Sequence, residues 1–149
     1  MDWITKEHRE FKETMNELIE KHADNPDARR RTFTQWRKRL RGHGKAEEEV
    51  LFPTMMQNEQ TRPAALEALE WHRTMRFILG EIMETEPGDE LWLPRMRVAR
   101  GVTLNHLGME EKVALDLVRR VFEPELLGIL GKDFKLVEEE QLKKEGVAP

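Results

Sequence analysis

Four histidines and two glutamates stand inside the apolar stripes of four successive helical segments, and this restricts the fold more than anything else in the chain. The first stripe, from about Asp2 to His22, carries Ile4, His8, Phe11, Met15, Leu18 and His22 at steps of three and four, the period of a helix with one buried face. It stops at Ala23-Asp24-Asn25-Pro26. The second holds Phe33, Trp36, Leu40, His43, Glu47 and Val50; Pro53, with no N–H to give, is expected to kink or end it near Phe52. Thr61 as N-cap and Pro63 in the first turn open a third, with Ala65, Leu69, His72, Met75, Leu79 and Ile82, closed by Glu86-Pro87-Gly88-Asp89. The fourth shows Met96, Ala99, Val102, His106, Glu110, Val113 and Leu117. A fifth segment runs from Glu123-Pro124 to about Lys144 through Leu126, Leu127, Leu130, Phe134 and Val137.

No stretch alternates with the period of a strand, and no Asn-Gly or Asp-Gly hairpin occurs. Short links between long amphipathic helices imply antiparallel neighbours. The expectation is an all-α fold, an up-down-up-down four-helix bundle with an additional C-terminal helix. One domain should span residues 1–149, with the bundle over about 2–121 and the extension over about 123–145. The extension should pack across its own bundle or reach a partner, as in a homodimer.

Composition removes several function classes. The chain has no Cys, hence no disulfide, thiolate nucleophile or sulfur-ligated metal. With 25 basic and 29 acidic residues the net charge is −4, so no global basic field draws in nucleic acid. Helix 2 begins with a basic run, Arg29-Arg30-Arg31 and then Arg37, Lys38, Arg39 and Arg41. Because Phe33, Trp36 and Leu40 form the buried stripe there, those charges read as its solvated flanks. The N-terminus is charged from Asp2 onward, unlike a signal peptide, and no apolar run approaches the ~20 residues of a membrane helix. A cytoplasmic protein is expected.

The polar residues in the stripes are spaced in a pattern. His43/Glu47 and His106/Glu110 are each four apart and so share a helix face. His8 and His72 lie 64 apart, His43 and His106 63, and Glu47 and Glu110 63, so two helix hairpins read as copies related by a pseudo-two-fold. Residues equidistant from a turn share one height in antiparallel helices. The midpoints of His8 and His43 (25.5), of His72 and His106 (89) and of Glu47 and His72 (59.5) fall in the predicted turns, which brings all six side chains to one layer. An ionised glutamate in a dry core is costly unless paired or bound to metal. A lone histidine there is ordinarily a hydrogen-bonded core residue, but six donors with matched offsets and heights need a common cause. Two glutamates can bridge two ions about 3.5–4 Å apart while four imidazoles bind terminally. That donor set suits Fe, Zn or Mn. Met75 and Met109 lie within a turn of these residues and are expected to line the pocket. Gly42, Gly44 and Gly108 are candidates for close helix approach, and His22, with no glutamate four residues away, reads as a surface residue at a helix end.

With these residues placed, roughly residues 1–120 resemble the haemerythrin-like, or HHE cation-binding, family. The resemblance runs through His8, His43-x-x-x-Glu47-Glu48-Glu49-Val50-Leu51-Phe52-Pro53, His72 and His106-x-x-x-Glu110-Glu111. It implies a left-handed bundle and a non-haem di-iron centre, with Glu47 and Glu110 bridging alongside hydroxide or oxide, and Zn or Mn as substitutes. It also implies O2, NO or peroxide as the small ligand. Two departures stand out: Arg76 occupies the position of a further histidine found in oxygen carriers, and Gly44 that of an extra glutamate found in iron-sensing relatives. Six ligands therefore carry over, leaving coordination positions open for an incoming ligand. Two functions follow as expectations: binding or sensing of O2 or iron, or di-iron oxidase or peroxidase-like chemistry. A structural bundle holding zinc or nothing is a third. Glu48, Glu111 and Arg76 are expected to support the ligands from outside.

Overall fold

The structure, a computed structural model, describes residues 2–20 and 24–147; His22 lies outside them. Among the described residues every element is helical: α1 (Asp2–Glu20), α2 (Pro26–Ala46), α3 (Phe52–Met56), α4 (Arg62–Met83), α5 (Trp92–Met109), α6 (Leu115–Val121) and α7 (Pro124–Lys144). Two π turns, Glu47–Leu51 and Glu110–Ala114, fuse α2 to α3 and α5 to α6, so four rods form the bundle and α7 is added to them. Contacts of α1 with α2 and α5, and of α4 with α3 and α5, close the ring of rods. No helix among the described residues is long and apolar enough to cross a membrane.

Local chemistry sets the ends. Asn25 caps α2 by accepting from the Ala28 N–H at 3.0 Å, with Pro26 in the first turn. Thr61 stands before α4 as expected, but its hydroxyl donates back to the Met55 carbonyl at 2.6 Å instead of capping the new helix. Pro94 falls in the first turn of α5.

The π turns are the main departure from the sequence reading. The rod carries on through Pro53, and at each glutamate an N–H five residues on bonds to its carbonyl, Phe52 to Glu47 and Leu115 to Glu110. The second π turn contains no proline, so proline does not explain the pair. An extra residue per turn advances the buried face by one position. Val50 and Leu117 are accordingly only half-buried and Val113 is exposed, while Leu51, Ala114 and Val118 take the core positions expected of them. The 63-residue repeat thus extends to the backbone itself.

Two apolar clusters fill the interior on either side of the donor layer. One is built around Met15, Phe33, Trp36, Trp92 and Met96. The other is built around Ile4, Phe52, Met55, Ala65, Leu115 and Val118. Arg29 does not join the solvated flank expected of it. It is buried, donates to the Pro87 carbonyl and stacks 5.5 Å from the Trp92 ring, tying the link between α4 and α5 to the start of α2.

The C-terminal helix lies back on its own bundle, along α2 and the first π turn. Gly42 lets it approach, since a Cβ there would stand 3.3 Å from Leu142 Cδ2. Phe134, buried, packs edge-on against Trp3 at 4.4 Å. Gly108, in contrast, has open space where a Cβ would go, so no close approach explains it.

Candidate metal centre

His8 comes from α1, His43 from α2, His72 from α4 and His106 from α5, while Glu47 and Glu110 are the first residues of the two π turns. All six are buried. They form two groups: His8, His43, Glu47 and Glu110 in one, and Glu47, His72 and His106 in the other. Within each group one donor atom per residue lies within 4.8 Å of the rest. Glu47 belongs to both. Its Oε1 is 3.0 Å from His43 Nε2 and its Oε2 is 3.2 Å from His72 Nε2, so the carboxylate spans the two groups. Glu110 Oε2 lies between them as well, 3.5 Å from His8 Nε2 and 3.6 Å from His106 Nε2.

Hydrogen bonds on the outer side of the rings fix which ring nitrogens face inward. His8 Nδ1 donates to Glu111 at 3.0 Å, His43 Nδ1 to Glu7 at 2.7 Å and His72 Nδ1 to Glu48 at 2.7 Å. With a proton on Nδ1, each Nε2 is turned inward, where a neutral ring offers a lone pair to a metal. His8 Nε2 stands 3.1 Å from His43 Nε2, and His72 Nε2 3.1 Å from His106 Nε2, hydrogen-bond distances at which one ring of each pair keeps a proton on Nε2 until a cation replaces it. None of the four carboxylate oxygens of Glu47 and Glu110 accepts a well-formed hydrogen bond, although His43 comes close to one of them. These buried oxygens need protons or cations beside them. In a dry interior either can meet that need, and imidazoles and carboxylates gathered in this way are donors that fit a metal site.

The acid–base state follows from crowding. Burial takes His8 down to about 4, with His43 adding to the effect, and burial takes His106 down to about 3. Burial also opposes charge on His43, yet Glu47 and Glu7 beside it hold its pKa well above the usual imidazole range. Burial and the adjacent Glu47 push Glu110 well above the carboxylate range. Glu47 is held well below it by His43, against the pull of burial. Metal uptake needs neutral imidazoles and ionised carboxylates, so ions and protons compete for the layer.

The supporting contacts repeat as well. Lys12 pairs with Glu111 at 2.8 Å, and Arg76 pairs with Glu48. Lys12 and Arg76 stand one turn after His8 and His72 and are 64 apart; Glu48 and Glu111 are 63 apart. A chain of cation, carboxylate and imidazole thus appears twice, each time with the cation and imidazole from one hairpin and the carboxylate from the other. Arg76 keeps its head in solvent while making this contact. Sequence reasoning did not single out Lys12, although its 64-residue offset from Arg76 is readable. Glu7 and Glu138, which gather around the outer face of His43, have no such signal. Glu7 maps onto Trp71 in the other hairpin, and Glu138 comes from the helix outside the repeat.

Two cavities reach the layer. One, of about 200 Å³, opens between α2 and α4 beside Met75 and Arg76 and touches His43, Glu47, His72 and His106. The other, of about 190 Å³, opens between α4 and the α5–α6 rod beside Met109 and touches His106 and Glu110. Both methionines therefore line the approaches, Met75 buried and Met109 at the surface. Gly44 keeps the first approach close-fitting, since a Cβ there would stand 3.3 Å from His72 Cε1.

A four-rod bundle with buried histidines and carboxylates gathered at mid-depth defines a helical bundle with a candidate metal site as its class. Residues 1–118 match the family model described as the Hemerythrin HHE cation binding domain, and the chain belongs to that family. No curated protein and no solved structure matches it significantly. The matched span ends before α7 begins.

Proposed function

We propose that His8, His43, Glu47, His72, His106 and Glu110 hold two iron ions and that the centre binds or reacts with O2 or a related small ligand such as NO or peroxide. One observation carries this reading: the six side chains turn their acceptor atoms toward each other in a buried layer, with Glu47 spanning both groups. His8 and His43 would hold one ion and His72 and His106 the other, with Glu47 and Glu110 shared. Two ions so placed supply redox and Lewis-acid chemistry. The protein's own part is to orient the imidazoles through Glu7, Glu48 and Glu111 and to exclude water with the apolar clusters on either side.

A di-iron oxidase or peroxidase-like enzyme is the second reading, favoured by the open approach to His72 and His106. Glu47, His72 and His106 group most closely there, with Glu110 3.6 Å from His106, and Arg76 points to Glu48 and solvent. Anaerobic reduction followed by rapid mixing with O2 separates the two. A stable spectral change that reverses under argon is expected of a binding or sensing protein and removes the enzyme. Irreversible oxidation with turnover of added peroxide removes the carrier.

A further inference from the structure

The pseudo-two-fold holds in the donor layer and fails just outside it. At an offset of 63 or 64, Ile4 maps onto Ala68, Glu7 onto Trp71, His43 onto His106, and Val50 onto Val113. In the first hairpin the groove outside His43 is covered by α7, whose Phe134 ring sits 5.4 Å from the His43 ring. In the second, no described element covers the equivalent groove, and the 190 Å³ cavity lies there, reaching His106 and Glu110. Its wall is made by Ala64, Ala68, Trp71, Met109, Val113 and Leu117. Where the covered groove has the side chain of Ile4, the open one has only the methyl of Ala68.

We propose that this cavity is a binding site for a small uncharged organic molecule bearing one aromatic ring or an alkyl group of like bulk, held against the His106–Glu110 edge of the layer. The chain itself shows what such a groove accepts, since its twin receives a phenyl ring. Size agrees: an apolar cavity of about 150 Å³ is enough for benzene. Most of the wall is methyl, thioether and indole; of its polar members outside the layer, Gln60 and Glu67, the latter accepts from the Trp71 N–H at 3.4 Å. An anion would meet Glu110 with no cation among the lining residues. The cavity stands on geometry alone; its nearness to a metal rests on the di-iron reading.

The test is a titration of fluorobenzene into the full-length protein, followed by its ¹⁹F resonance, with metal content measured on the same sample. A saturable shift is expected. Ala68→Ile, which copies the covered twin, and Val113→Phe, at the exposed mouth, should each weaken binding at least tenfold without changing metal content. In protein containing a paramagnetic ion, bound fluorobenzene should also be broadened. Saturable binding lost in both variants supports the site even in a sample without metal, a result that would remove the di-iron reading alone. No saturable shift, binding that both variants retain, or a dimer that closes over Val113 and shuts out the probe overturns it, whatever the metal content. Bound probe that a paramagnetic ion leaves sharp overturns its place beside the layer.

Discussion

Replacing Glu47 by glutamine should strip the protein of both ions, whereas His8→Ala should leave one. Glu47 is the residue common to the two donor groups, with one oxygen 3.0 Å from His43 and the other 3.2 Å from His72. Glutamine keeps the volume, so packing is preserved, but it removes the charge that offsets the cations and presents an N–H₂ group to one of them. Iron measured after gel filtration should fall from about two per chain to fewer than about one-half. In His8→Ala the His72–His106 group is untouched, and about one ion should remain. Glu49→Gln is the control: Glu49 is exposed and pairs with Lys45, away from the layer. Glu47→Gln protein that still carries two ions would remove Glu47 as the bridge.

Chelation should lower the melting temperature more than any surface substitution. Without cations the layer holds two carboxyl groups and four imidazoles in a dry interior, balanced only by the protons they share. An ion present at a hundred times its dissociation constant stabilises the fold by about 2.7 kcal/mol, hence two by about 5 kcal/mol. For a chain of this length that corresponds to a shift of about 10–20 °C. Differential scanning calorimetry before and after chelation, with iron restored in a third sample, measures it. A melting temperature indifferent to chelation would mean that the donors are balanced by protons alone.

Fold class was legible because the period of a helix and the chemistry of turns are both local. Asn25-Pro26, Thr61 through Pro63 and Glu123-Pro124 mark helix starts within a residue or two of where they occur. The six donors were legible for a different reason: duplication writes the same spacing twice, and offsets of 63 and 64 fix height as well as identity. The π turns were not legible. They leave no mark in composition, and their effect is a one-residue slip of the buried face, so Val113 and Leu117 read as core while Ala114 and Val118 are core. Glu7 and Glu138 escaped notice because the contacts that define them cross between helices and depend on where α7 lies. Arg29 was misread because a basic run suggests solvent, and only the fold brings Trp92 and the Pro87 carbonyl within its reach. What the repeat encodes twice could be read from the chain; what breaks the repeat required the folded molecule.

Anomalous diffraction at the iron edge, from crystals of protein grown with iron, bears most directly on whether this layer is a two-ion centre. Two peaks about 3.5–4 Å apart are expected between Glu47 and Glu110, one beside His8 and His43 and the other beside His72 and His106. A single peak, or iron seated among Glu7, His43 and Glu138 on the outer side of the ring, would contradict it.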